Sequence, residues 1–198
     1  MGQTLASHDS DIREALFEYL DEIYPINRII EELTIDRARA DVVMVRPDSI
    51  YGIEIKSDND TYTRLANQVK VYNRFFDYNI VAVGSTHAAH ISEHVPEWWG
   101  IITIEEIAGT LDFYYLRKPQ PNPKVKANKK LSLLWRPELA RIQERNKLPK
   151  YKDKSKDFVR KKLIEKLPEE VLWSCYYEEL MDRDYTTIRQ EIEEYRGR

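Results

Sequence analysis

One cysteine, Cys175, is all the thiol chemistry that the 198 residues contain. It excludes an internal disulfide and any multi-cysteine zinc site. No apolar run approaches the roughly 18 residues that a membrane span needs. The opening residues, MGQTLASHDSD, lack the basic-then-apolar plan of a secretion signal. The expectation is a soluble cytoplasmic protein with no membrane partner. A hydrophobic content of 42% and an aromatic content of 11% argue for a folded chain. The length suffices for one domain with a real core and a small appendage.

Net charge is small, although 33% of the residues are charged, and it is unevenly spread. The formal net charge is −3. Residues 1–116 carry 9 Lys/Arg against 20 Asp/Glu, residues 117–166 carry 18 against 5, and residues 167–198 carry 4 against 9. An acidic body with one basic stretch points to a polyanion contact through that stretch, or to a solvated linker with no partner.

Ile12, Ala15, Leu16, Tyr19, Leu20 and Ile23 fall on one face at helical spacing, which predicts a helix over 10–23, capped by Asp9 or Ser10 and ended by Pro25. Strands are predicted at 27–35, 41–46 and 50–56, the last two joined as a hairpin by the Pro47-Asp48 turn. After the polar turn Ser57-Asp58-Asn59-Asp60 comes a helix over 62–77. A strand at 79–84 follows, then a helix at 88–95, a strand at 100–104 and an edge strand at 111–116. The fold class is α/β (α+β), with a mixed central sheet flanked by helices. Residues 117–130 hold three prolines and no periodicity and read as a basic linker. Helices at 131–147, 155–166 and 169–181 would make a small helical C-terminal module. The domains are thus 1–116, 117–130 and 131–198.

Glu54 and Lys56 break the apolar strand "YGIEIK" two residues apart, so both point to one side, roughly 7 Å apart along the strand. Asp41 opens the preceding strand. In a hairpin it lies beside Glu54, and two carboxylates converge with the Ile55 carbonyl. Hard oxygen donors of that kind suit Mg²⁺ or Mn²⁺. Lys56 would then sit near a metal-bound water and a phosphate. A surface strand with a cross-strand ion pair would present the same triplet. Gln68 and Tyr72 are four apart on the following helix and share a face, offering an amide and a hydroxyl to a phosphate or a water.

Asp41, Glu54-Ile55-Lys56 and Gln68-x-x-x-Tyr72, carried on β-β-α, resemble the PD-(D/E)XK phosphodiesterase superfamily with its restriction-endonuclease-like fold. The Gln-x-x-x-Tyr element is similar to that of the subgroup holding RecB-type nuclease domains. Arg37-Ala-Arg-Ala-Asp41, GIEIKSDNDTYTRLANQVKVY and Pro96-Glu-Trp-Trp-Gly100 are closer still to small bacterial and phage proteins of that fold. The resemblance covers residues 10–105; Ala40 stands where the superfamily name has proline. It implies a Mg²⁺-dependent deoxyribonuclease, with Asp41 and Glu54 as metal ligands and Lys56, Gln68 and Tyr72 completing the catalytic set. Members often add an acid from an earlier element, for which Glu32 is the candidate. Glu31, one residue away, and Glu14 are its competitors. Many relatives of the fold dimerise to cut two strands, so a second copy of the chain joins DNA among the expected partners. The alternative is the same fold holding nucleic acid or a protein without turnover.

His87, His90 and His94 recur at helical spacing, but His87 and His94 would stand about 10 Å apart, too far for one zinc ion. Trp98-Trp99 read as core packing of at least one ring. Arg64, near the start of the helix that bears Gln68, could touch a phosphate, and the favoured reading is a helix-terminal surface residue. Lys154, Lys156, Lys161 and Lys162, around a helix capped by Ser155, are candidate nucleic-acid-binding residues in a segment resembling helix–extension–helix modules of the SAP type.

Overall fold

The computed structural model describes residues 9–57 and 61–185. The side chains of Asp9 and Ser10, where the helix cap is predicted, and residues 58–60 of the predicted polar turn lie outside the described residues. Two compact units form the chain, Met1–Val45 with Ser49–Val125, and Arg46–Asp48 with Lys126–Arg198.

The first unit is built on an open six-stranded mixed sheet in the order β1-β2-β3-β4-β5-β6. Its strands are β1 (Arg28–Ile35), β2 (Ala38–Arg46), β3 (Ser49–Lys56), β4 (Tyr78–Gly84), β5 (Gly100–Ile107) and β6 (Thr110–Arg117). β1 pairs antiparallel with β2, β3 and β4 are parallel, β4 and β5 are parallel, and β5 pairs antiparallel with β6. Each parallel step needs a crossover. Helix α2 (Leu65–Phe75) supplies the first and the short helix α3 (Ser85–Ala88) lies in the second. Helix α1 (Asp9–Ile23) lays Ile12, Leu16 and Leu20 on one sheet face, against Val42, Met44, Ile53, Ile80 and Ile102. Strand alternation sends Asp41, Val43, Glu54 and Lys56 to the opposite face, where α2 packs.

The helix predicted over 62–77 is shorter at both ends. Phe76 leaves it in extended conformation, φ −109° and ψ 143°, which lays its ring over Gly52. Asp77 then ties to β3: its N–H donates to Ile50 O at 2.9 Å and its carboxylate accepts from Ile50 N at 3.0 Å. The helix predicted at 88–95 is also corrected. α3 starts directly after β4, and only a 3₁₀ turn, Ile91–Glu93, follows. The chain instead bends so that Trp99 is buried with its Nε1–H donating to Asn73 Oδ1 at 2.8 Å. Within 117–130, Arg117 closes β6 and donates to Trp99 O and Pro96 O. Asn122 is buried and donates to the carbonyls of Asn73 and Phe76 at 2.8 and 2.7 Å, satisfying orphan carbonyls at the end of α2.

The second unit holds α4 (Ala127–Lys130), a 3₁₀ turn at Leu131–Leu133, α5 (Arg136–Arg145), α6 (Lys156–Lys166) and α7 (Glu169–Met181). Leu134, Leu139, Ile142, Val159, Leu163, Tyr176 and Leu180 are buried there. α5 starts five residues later than predicted because Pro137 sits in its first turn and Glu138 Oε2 accepts from Trp135 N at 2.6 Å, the returning half of a capping box. Ser155 caps α6 as the sequence indicates, accepting from Phe158 N at 3.2 Å. Arg183 and Glu138 form a fully buried pair, with Arg183 also donating to Leu133 O. Among the described residues no helix is long and apolar enough to cross a membrane.

Candidate active site

Asp41 on β2, Glu54 and Lys56 on β3, and Gln68 and Tyr72 on α2 meet on the α2 face of the sheet. Glu54 is the hub. Its Oε1 accepts from Lys56 Nζ at 2.8 Å and from Gln68 Nε2, and its Oε2 accepts from the Tyr72 hydroxyl at 2.7 Å. Tyr72 is reached in turn by Asp41 N, which donates to its hydroxyl at 3.2 Å. Asp41 is held by a bond from Ile55 N to its Oδ2 at 3.0 Å. The sheet and helix therefore cross-link through one ionised network, with Lys56 and Glu54 almost fully buried.

Burial dictates the electrostatics. It pushes the Glu54 carboxyl up to about 6, reinforced by the nearby Asp41 charge and opposed by Lys56. Burial also raises the Asp41 carboxyl, against the lowering effect of the Ile55 N–H and of Lys56. The Tyr72 phenol lies well above its ordinary value, from burial first and then from Glu54 and Asp41, so it remains a donor. Two buried carboxyls, both raised by desolvation and one raised further by the other, are a site where a cation is welcome.

These residues floor a cleft of about 500 Å³. Its lining adds Arg13, Arg37, Arg39, Arg64, Thr63 and Asn67 to Asp41, Glu54, Lys56 and Gln68.

Glu32 is not brought to the acidic pair by its side chain. The register pairs Glu31 with Val42 and Leu33 with Ala40, which leaves Glu32 across from Asp41. Its backbone takes the left-handed φ of 52°, and its carboxylate accepts from Arg39 at 3.2 Å and Arg13 at 3.5 Å. Glu31 also pairs with Arg13, at 3.6 Å. Among the described residues no group of three or more His, Cys, Asp or Glu side chains is placed to hold a metal ion. Asp41 and Glu54 are the two carboxylates that line the cleft, and a divalent cation held by so few protein groups would retain several waters.

The four candidate lysines differ in placement. Lys156 turns inward and donates to Ser132 O at 3.1 Å, and burial lowers its ammonium to about 8. That corrects its assignment as an outward phosphate contact: a half-desolvated ammonium satisfied by a carbonyl serves its own unit. Lys161 pairs with Asp157 and Lys162 with Glu165 on the same helix. Lys154 is exposed and stands 5.8 Å from the Phe158 ring centre. His87 and His94 gather on Tyr62, one by a 2.9 Å contact to its hydroxyl and one by ring stacking, while His90 faces Glu93.

Arg13, Arg37, Arg39 and Asn67 are cleft residues that the sequence reading did not assign, and Arg64 it placed on the surface. A signal existed for two of them. Arg39 and Asp41 are two apart on a strand, and Arg64 and Gln68 four apart along a helix, so each shares a face with a site residue. Arg13 comes from a distant helix and leaves no such trace.

A family model described as bacteriophage P4 protein cII matches residues 4–192. No curated protein matches the chain. Two solved structures are similar to it. One is a Silicibacter pomeroyi protein of unknown function, 20% identical over 65% of this chain and 83% of that one, with a TM-score of 0.48. The other is Pyrococcus furiosus SfsA in complex with Ca²⁺, 12% identical over 60% of this chain and 65% of that one, with a TM-score of 0.36.

Proposed function

The chain belongs to the bacteriophage P4 protein cII family, and we propose that it is a metal-dependent nuclease hydrolysing phosphodiester bonds of DNA, of the PD-(D/E)XK type. The observation that carries this reading is the convergence of Asp41, Glu54 and Lys56 on one point, braced by Gln68 and Tyr72.

The residues fit a divalent cation by their chemistry: two buried carboxyls, both raised by desolvation and offering hard oxygen atoms, beside a cationic wall suited to phosphate. Asp41 and Glu54 would hold Mg²⁺ or Mn²⁺, which when bound polarises a phosphate and acidifies water. Everything else falls to side chains. Gln68 and Tyr72 fix the rotamer of Glu54, so that it need not reorganise during reaction. Lys56, delivered by the same strand, orients the attacking water and offsets charge that builds on the phosphoryl oxygens. The water oxygen bonds to phosphorus and its proton passes to solvent, while the bond to the leaving sugar oxygen breaks and that oxygen takes up a proton from solvent to leave as a hydroxyl.

One observation favours a second reading, a nucleic-acid-binding module without turnover. Both oxygens of Glu54 already have side-chain donors, so the site is satisfied with no ion.

A single assay separates them. Plasmid and single-stranded DNA are incubated with Mg²⁺ or Mn²⁺ and the native protein, Lys56→Ala or Asp41→Ala. The nuclease reading expects cleavage by the native protein and a loss of at least about a hundredfold in both variants. Equal cleavage by all three removes the site assignment, and binding without cleavage supports the module.

A further inference from the structure

Residues 1–116 are poor in positive charge, with 9 Lys/Arg against 20 Asp/Glu. Five of those nine, Arg13, Arg37, Arg39, Lys56 and Arg64, line the one cleft that contains Asp41 and Glu54. Three different pieces of chain deliver the arginines: helix α1, the turn and first residues of β2, and the residue preceding α2. They fall into two pairs. Arg13 and Arg39 are held from behind by Glu32, and Arg13 also by Glu31. Arg37 and Arg64 are exposed and have no carboxylate partner among the described residues. Arg37 and Arg64, with no carboxylate partner among the described residues, are repelled by each other and by the neighbouring cations, a cost that a polyanion seated on them would relieve. The planar guanidinium presents parallel donors that match two oxygens of a phosphate.

We propose that Arg13, Arg37, Arg39 and Arg64 form a phosphate-binding rim that seats successive backbone phosphates of one nucleic-acid strand on either side of the phosphate facing Lys56. The assignment rests on the reading of the site as a phosphodiesterase or binder of nucleic acid, and it adds which residues hold the strand. Glu32 acts here as a positioning residue. Its carboxylate fixes the two arginines it touches, in place of the metal-ligand role that the sequence suggested. Phosphate contacts of this kind carry affinity with little sequence information.

The test reads binding apart from turnover. Fluorescence anisotropy of a short labelled single-stranded DNA is followed against salt in EDTA, where no divalent cation is free. The proteins are the native chain, Arg37→Ala/Arg64→Ala and Arg37→Lys/Arg64→Lys. Both positions are exposed, so folding is spared. For single strands the slope of log K against log salt changes by about 0.7 per phosphate neutralised. The alanine pair is expected to bind at least about tenfold more weakly, with a slope shallower by about 1.4, and the lysine pair to recover the slope. Affinity and slope unchanged in the alanine pair, or no DNA binding by the native chain, overturns the rim. Binding with these slopes but no cleavage under Mg²⁺ or Mn²⁺ upholds the rim while removing the nuclease reading. Cleavage that the alanine pair performs as the native chain does, with unchanged binding, removes the rim while upholding the nuclease.

Discussion

Glu54 sets the behaviour of the site at the scale of single residues. Its carboxyl is raised from 4.5 to about 6 by burial and by Asp41. The folded protein therefore binds this proton more tightly than the unfolded chain does. Between those two values the folded state holds more protons, and its stability falls as pH rises. The group's contribution is complete below about 4.5 and is lost through about 6, on the order of 2 kcal/mol. Asp41 is raised too and acts in the same direction. A divalent cation needs the ionised pair, so its affinity must climb over the window in which metal-free stability declines. Thermal unfolding in EDTA is expected to show Tm falling from pH 4.5 to 6.5, and Mn²⁺ in place of EDTA is expected to restore it progressively as pH rises. A Glu54→Gln variant should lose the Mn²⁺ effect and keep only the smaller part of the pH trend that Asp41 contributes; a Tm in EDTA that rises over this range in the native protein would contradict the assignment. The charged triplet was legible because it violates an apolar strand, and period two placed Glu54 and Lys56 together. Arg39 and Arg64 were legible only through their spacing from Asp41 and Gln68, and Arg13, brought in from a separate helix, was not.

Element packing explains why that triplet stays in place. β3 meets α2 closely because Gly52 has no side chain: a Cβ there would lie 2.1 Å from the Phe76 ring, which is itself fully buried. Gly52→Ala is expected to cost about 1–3 kcal/mol through forced displacement of that ring. Chemical denaturation measures it. A double variant with Phe76→Leu should recover part of the loss, and an unchanged midpoint for Gly52→Ala would refute the close approach. The strands were readable from alternation and from apolar runs. The element ends were less so. Phe76 and Asp77 continue the helical pattern in sequence, yet one packs on Gly52 and the other bonds to Ile50, and both contacts are tertiary. Asn73 and Asn122 likewise hold the Trp99 loop and the end of α2 through bonds to side-chain and backbone groups. Such bonds follow no spacing rule, so the proline-bearing stretch around Asn122 read only as linker.

On the scale of the whole molecule, the chain spends charge in two ways. In the first unit cations gather at the cleft. In the second they serve the interior. Lys130 Nζ is buried, bonding to Tyr177 OH at 2.7 Å and lying 4.1 Å from the Trp173 ring centre, and Arg183 is sealed against Glu138. Removing one member of that last pair strands the other. Glu138→Gln is expected to lower stability by about 3–5 kcal/mol, seen as a shift in denaturation midpoint; a shift under about 1 kcal/mol would show the pair to be dispensable. The basic composition of residues 117–166 was plain in the sequence. Which of its lysines and arginines face inward was not, because a buried cation is identified only by the aromatic rings, carboxylate or carbonyl that it meets.

The central claim is that Asp41 and Glu54 together bind one divalent cation. Titration of Mn²⁺ into the native protein and Asp41→Asn at pH 7.5, followed by calorimetry and by the electron-spin signal of free Mn²⁺, tests it without reference to any substrate. One Mn²⁺ per chain is expected for the native protein, with the site lost or weakened by about a hundredfold in the variant. Superimposable isotherms for the two proteins would contradict it.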